Sequence, residues 1–425
     1  AVTLSDTTLS AADLISIDNS TSAGLITHTA TTLTGTAADL ATIYTRDAGN
    51  GATITGSANQ AITVTDATVS TTTAAAINAL STGVVTFVAT TLTGNLAALT
   101  TILDLSTAGA EIAGLNGANI TMAATNNALT AANVNTIAGK TTGVVTATVT
   151  ETTAAALATI AETGHNLTLT LADASVAASA ITAVDALTTG TFTVSSTTVT
   201  GTAAQVIAAY AAGTAGTVTG LGNEAITITG GVSVADLNTI AALSTGAVTA
   251  TVTDTTATTL KGITEGFSNN LTLSITDTSV SAADIATIDA LTAGVLTVSS
   301  TTITGNYAEV EAAYALNTAG TTTGLGNEDI TITQQLTVGQ ANTIAGLTTG
   351  AVTATIDAGS FAGNGALTGL AETGHAYTIT VTDTTATAVN LTNLDAKTTV
   401  AIDATAVTTI TGSLAQCDAA LDANA

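Results

Sequence analysis

Short runs along the chain alternate one apolar residue with one Thr or Ser. In "LTLSIT", Leu271, Leu273 and Ile275 fall on one side and Thr272, Ser274 and Thr276 on the other, the period of a strand with one buried face. "VTATVT" at 248–253 does the same. A second pattern follows such runs. "SAADIATIDAL" begins with Ser281, a helix N-cap residue, and places Asp284 three positions later, as in a capping box. Ile285, Ile288 and Leu291 then form an apolar stripe at helical spacing. "STG" or "TTG" closes the segment, and Gly190, Gly246 and Gly350 are expected to take a positive φ there. Ser10 and Asp13 carry the same start signal near the beginning of the chain. The pattern predicts one strand followed by one short helix.

That pair recurs. Alternating runs begin near 2, 25, 61, 84, 119, 144, 167, 191, 225, 248, 271, 295, 329, 351, 377 and 399, mostly 22 to 26 residues apart, with four spacings of 34 to 36. A longer period lies over the short one. "LTLTLADASVAASAITAVDALTTGTFTVSSTTVTG" (167–201) matches "LTLSITDTSVSAADIATIDALTAGVLTVSSTTITG" (271–305) at an offset of 104, and "GLGNE" stands at both 220–224 and 324–328. "GSANQ" (56–60) and "GLNGAN" (114–119) are related text. The expectation is an α/β solenoid of about sixteen units spanning 1–425 as one continuous domain. Its long-period copies lie at about 61–166, 167–270 and 271–376, with partial copies at 1–60 and 377–425. Stacking a strand and a short helix every two dozen residues gives leucine-rich-repeat-like geometry, one long parallel sheet backed by helices. A parallel β-helix with two strands per turn is the alternative. "GLGNE" falls in the longer units and reads as a loop bulging from one edge.

Composition narrows the function classes. The 425 residues carry a formal charge of −26 and four basic side chains, Arg46, Lys140, Lys261 and Lys397. Nothing there could neutralise a phosphate backbone, so nucleic acid is excluded as a partner, and an anionic membrane surface is disfavoured. There is no Pro and no Trp. No apolar run reaches the length of a membrane span. The chain opens "AVTLSDTT", without Met or a signal peptide, and reads as a processed form or a fragment. A single cysteine, Cys417, rules out an internal disulfide framework; it aligns with Leu40 and is expected as a buried thiol.

Candidate chemistry is sparse. Acidic residues end many strands: Asp6, Asp66, Glu151, Asp173, Asp254, Asp277, Asp357, Asp383 and Asp403. Three adjacent pairs stand out, Glu151 with Asp173, Asp254 with Asp277, and Asp357 with Asp383. Stacked carboxylates repel unless a cation or a hydrogen-bond donor intervenes. Two readings compete: Ca²⁺ bridging between rungs as the one cofactor, or an Asx-turn in which each Asp caps its own backbone. "GLGNEA" fits GxGxxA, but a dinucleotide fingerprint needs a helix after it and a strand is expected instead. His165 and His375 share "AETGH", whereas the intervening period reads "TEGFSNN"; with His28 they have no neighbouring His or Cys in sequence to build a metal site or a catalytic base. Tyr44, Tyr210 and Tyr314 end equivalent helices and read as packing residues. Columns of outward Thr, such as Thr63/Thr65, Thr146/Thr148, Thr168/Thr170, Thr227/Thr229, Thr249/Thr251, Thr331/Thr333, Thr353/Thr355 and Thr378/Thr380, suit exposed strand positions, an ice-binding grid, or contacts to glycans or a neighbouring protomer.

At "LTGTAADLATIY", "TGLGNEAITIT" and "SVADLNTIAALSTGAVTATVTDTT" the text resembles the Thr/Ala/Gly-rich tandem repeats of very large secreted surface proteins of marine cyanobacteria and related bacteria. The likeness is one of repeat style over nearly the whole chain. Such proteins are extracellular or at the cell surface, are often exported by type I secretion, and serve as surface layers, adhesins, fibres or motility-associated coats. The glycine-rich calcium repeats that often accompany them are missing here. The resemblance implies a non-enzymatic structural protein that self-associates into a filament, sheath or surface layer, with cell-surface polysaccharide as a further partner. An adhesin stalk or an ice-binding module is the alternative. No catalytic site is expected.

Overall fold

The computed structural model describes residues 1–21, 24–48, 51–123, 127–264 and 269–422. The chain divides into two compact units, Ala1–Val199 with Ala208–Leu221, and Thr200–Ile207 with Gly222–Ala425. Each is α/β, built from parallel ladders of short strands with helices between them.

The rung of the second unit at 270–289 shows the local logic. The strand Asn270–Ile275 buries Leu271, Leu273 and Ile275 on its inner face. After a tight turn a second strand, Ser279–Ser281, buries only Val280. The helix Ala282–Asp289 starts immediately, with the Ser281 hydroxyl accepting from the Asp284 N–H at 3.0 Å. Ile285 and Ile288 are turned onto the strands and fully buried. Each such side chain contributes about 1.5–3 kcal/mol by leaving water. The next rung repeats the path, so Leu273 lies beside Leu296 and Ser279 beside Thr302 in two parallel ladders.

A rung therefore has two strands and a helix, where the sequence predicts one strand and a helix. The second strand holds three or four residues and a single buried apolar one, as at Val280 and Ile303, too few for alternation to show. The two-strands-per-turn alternative anticipated this part of the path.

The ladders are several, and one long sheet is not what forms. In the first unit, Val2–Leu4, Ile26–His28 and Ile54–Thr55 form a ladder that ends there. The strand after the "GSANQ" loop, Ala61–Val64, does not continue it. It pairs instead with Thr32–Gly35, the second strand of the rung before, and on its other side with Val85–Phe87, the first strand of the rung after. Asn119–Met122 makes the same exchange after "GLNGAN", pairing with Thr91–Gly94 and Val145–Val149. In the second unit Asp329–Leu336 makes it after "GLGNE", pairing with Thr302–Gly305 and Val352–Ile356. The longer spacing is thus a sidestep, in which the first ladder stops on a two-residue strand and the next strand takes over the second.

Glycine serves the stack differently from the sequence expectation. Gly190, Gly246 and Gly350 do not take a positive φ. A Cβ on them would overlap the carbonyl oxygens of Leu167, Glu224 and Glu328 in the neighbouring rung, so glycine is required by close backbone approach. Gly324, at φ 94°, carries both demands, since its Cβ would also overlap the Val298 carbonyl.

Among the described residues no helix is long and apolar enough to cross a membrane.

Candidate functional site

The strand-end carboxylates reach backward to the helix of the preceding rung. One oxygen of Asp66, Asp173, Asp254 and Asp277 accepts from the first N–H of the helices Ala37–Asp47, Ala154–Leu157, Val234–Ala241 and Ala257–Leu260, at 2.7, 2.7, 2.7 and 2.6 Å. Glu151 does the same for Ala131 at 3.1 Å, and Asp383 accepts from the Phe361 N–H at 2.7 Å. A negative charge there meets the positive end of the helix and satisfies a donor the helix itself cannot. The hydrogen-bond donor between stacked acids is therefore a helix terminus one rung away. The expected cap on the residue's own turn occurs at Asp403, where the N–H and hydroxyl of Thr405 hold the carboxyl below its usual range. Asp357 differs: its N–H donates to the Leu336 carbonyl across the ladder. Among the described residues no group of three or more His, Cys, Asp or Glu is arranged to hold a metal ion.

The histidines are also tied to a neighbouring rung. His165 and His375 are buried, and each Nδ1 accepts a strand N–H, from Val145 at 3.2 Å and Val352 at 3.1 Å. This fixes the neutral tautomer with the proton on Nε2, an atom that is buried in both residues without a hydrogen-bond partner among the described residues. Burial lowers both pKa values, against the opposing pull of Glu162 and Glu372. In the intervening period Asn269 does the same work, its Oδ1 accepting from the Val248 N–H at 2.8 Å. Residues 265–268 of "TEGFSNN" lie outside the described residues. His28 faces Ser57 at 3.0 Å and is likewise lowered by burial.

Two sets of residues carry chemistry that the sequence reading did not single out. Asn135, Asn238 and Asn342 stand at equivalent helix positions and clasp the following rung. Each amide donates to one loop carbonyl, Thr159, Gly262 or Gly369, at 2.8 Å, and accepts from an N–H two residues on at 2.9–3.0 Å. Their recurrence every 103 or 104 residues was the available signal. The second set lies in the "GLGNE" loops. The Glu328 side chain is only 3 % exposed. Its carboxylate accepts from the Gly326 and Asn327 N–H groups at 2.8 and 3.2 Å and from the Tyr314 hydroxyl at 2.8 Å. Burial and this carboxylate together push the Tyr314 pKa far up. Glu224 is buried too and accepts from Gly222 and Asn223. The edge loop is thus pinned from inside by its own carboxylate, with Gly324 and Asn327 left exposed.

Internal copies explain the pairing. Tyr314 with Glu328 corresponds to Tyr210 with Glu224, to Tyr44 with Gln60, and to Leu103 with Ala118. A tyrosine and a polar residue stand at these positions together or are replaced together by apolar residues. Tyr314 is hydrogen-bonded to Glu328, whereas the Tyr44 hydroxyl is buried with no hydrogen-bond partner among the described residues. A buried donor stranded without its acceptor costs more than the loss of both. All three tyrosines are buried, as their packing role requires.

The remaining candidates are placed as follows. Ser81, Thr141, Ser244 and Thr348, which open the "S/T-x-G" turns, donate to the carbonyls of Gln60, Ala118, Glu224 and Glu328 at 2.5–2.7 Å. "GLGNEA" runs into the strand Ala225–Val232, so the helix a dinucleotide site needs does not follow. The Thr columns are in register over short spans, such as Thr34/Thr63/Thr86 and Thr304/Thr331/Thr353. The strand Asp329–Leu336 then shifts register between Thr331 and Gln335, so Gln335, and not Thr333, faces Thr355. Cys417 is half-exposed, unlike buried Leu40, on the helix Leu414–Asp422, which packs on the helix Ala388–Asp395. No family model, curated protein or solved structure matches this chain.

Proposed function

We propose that this is a non-enzymatic extracellular structural protein whose rungs self-associate into a filament, sheath or surface layer. The observation that carries the reading is where the polar chemistry goes. The strand-end acids, the histidines, the clasping asparagines and the turn hydroxyls bond one rung to the next, so the face of a rung is a template for another of its kind. The Thr/Ala/Gly-rich repeat style, the charge of −26 and the resemblance to secreted surface repeats support an extracellular place.

Negative-stain microscopy and sedimentation velocity of the full chain over a range of concentrations test this. Filaments or sheets that grow with concentration are expected. Monodisperse monomers throughout, with and without Ca²⁺, would overturn it. The in-register Thr columns favour a second reading, a surface- or ice-binding face, which thermal hysteresis and faceted crystal growth would reveal.

A further inference from the structure

In the second unit, one gap between rungs is lined by polar side chains where its counterparts carry apolar residues or an ion pair. Three equivalent positions can be compared: the residue after a buried helix leucine (Leu157, Leu260, Leu367), and the face of the next helix. In the first copy these positions hold Ala158, then Ala180, Ala183 and Leu187, all apolar. The second copy holds Lys261 and Asp284, which close on each other in an ion pair at 2.7 Å. The third holds Thr368, then Asn390, Asn393 and Lys397. A cavity of about 390 Å³ lies between them, floored by Leu367, Leu370 and Leu394.

The polar groups around this cavity are unengaged. The Asn390 and Asn393 amides and the Thr368 and Thr373 hydroxyls make no hydrogen bond to described residues, whereas Asn135, Asn238 and Asn342 are all clasped. Lys397 is the more telling case. Arg46, Lys140 and Lys261 each pair with a carboxylate, as expected in so acidic a chain. Among the described residues Lys397 has none; it donates one N–H to the Ala371 carbonyl at 2.7 Å and keeps two donors free.

We propose that this cavity binds a small hydroxylated carboxylate of the uronic acid class. Lys397 would meet the carboxylate, the two amides and two hydroxyls would bond the ring hydroxyls, and the leucine floor would take the apolar face of the ring. The volume falls at the small end of the range for ligand sites.

Saturation-transfer NMR of the full chain with sodium glucuronate tests it, with glucose and acetate as controls. Saturable binding in the roughly millimolar range is expected, with both controls weaker by about tenfold or more. Lys397→Leu installs the residue found at 187 and 291, and Asn393→Ala that found at 183, so both suit the fold; about tenfold and threefold losses are expected, respectively. Should Lys397→Leu misfold, Asn393→Ala carries the test alone. Methyl glucuronide separates the sources: tighter binding than the free acid indicates a polysaccharide residue, weaker binding a free sugar acid. Absence of saturation up to about 50 mM glucuronate, unchanged affinity in the variants that fold, or equal binding of acetate would overturn the proposal.

Discussion

Glu328→Ala tests the reasoning about buried pairs most directly. The substitution removes the acceptor of three donors, two loop N–H groups and the Tyr314 hydroxyl. The loop N–H groups lie in a half-buried turn and can regain water at small cost. The tyrosine hydroxyl is buried, and stranding it costs about 1–3 kcal/mol. Removing a buried carboxylate returns part of that by ending its own desolvation. A net loss of about 2 kcal/mol is expected. Tyr314→Leu alone leaves a buried carboxylate short of one donor and costs a similar amount. The double variant recreates the pair that stands at Leu103 and Ala118, where neither polar group remains. It should therefore be less destabilised than the sum of the singles by about 1–2 kcal/mol, the size of coupling seen for residues in one hydrogen-bonded pair.

Global unfolding averages over two units and many rungs and dilutes a change confined to one loop. Native-state hydrogen exchange at the amides of Gly326, Asn327 and Thr349 reads the local opening free energy instead. Strict additivity within about 0.3 kcal/mol would refute the claim that the Tyr and Glu are retained for each other. Glu328→Gln, which restores the chemistry of Gln60, should stay within about 1 kcal/mol of the parent.

Further predictions concern the other contacts between rungs. Burial lowers the folded-state pKa of His28, His165 and His375, so the unfolded chain binds protons more readily; their contribution to stability is present above about pH 6.5 and is lost as pH falls below it. The double variant His165→Asn/His375→Asn copies Asn269, keeps the accepted strand N–H, and should flatten the decline in melting temperature between about pH 6.5 and 5; an unchanged slope would exclude these two rings as its source. Gly143→Ala drives a Cβ into the Ala118 carbonyl and should cost about 2–4 kcal/mol, whereas Gly339→Ala, in open space on a helix, should gain up to about 1 kcal/mol, both measured by thermal melts. Asp254→Ala should loosen the start of the helix Val234–Ala241 by about 1–2 kcal/mol in hydrogen exchange, equally in chelator and in millimolar Ca²⁺; a loss seen only with Ca²⁺ would favour cation bridging.

The repeat, the strand faces and the helix starts were legible because they rest on local rules. Alternation places Leu271, Leu273 and Ile275 inside, and Ser281 and Ser10 cap their helices as their spacing from Asp284 and Asp13 indicates. What depends on the neighbouring rung was not legible. A carboxylate at a strand end looks the same whether it caps its own turn, as Asp403 does, or a helix 20 residues earlier, as Asp254 does. Gly246 in "STG" resembles a helix terminator, yet its role is set by the Glu224 carbonyl lying against it. Asp284 signalled a capping box, but its side chain turns to Lys261 in the rung before. The alternation of "DITITQQL" gives no sign that Gln335 and not Thr333 will face Thr355.

These contacts also decide how the rungs share stability. The helices Ala154–Leu157 and Ala257–Leu260 span four residues each, far below the length at which a helix holds in water on its own. Each is fixed from outside. Asp173 and Asp277 hold their N-termini from the following rung, while Asn135 and Asn238 hold the loops after them from the preceding one. A short helix of this kind has little intrinsic stability, and nearly all its free energy resides in its two interfaces. In the nearest-neighbour description of repeat proteins, such a balance makes melting cooperative over several rungs and leaves an uncovered rung weakly held. Adding another rung to the stack then stabilises the one beneath it, which is the energetic condition that self-association requires.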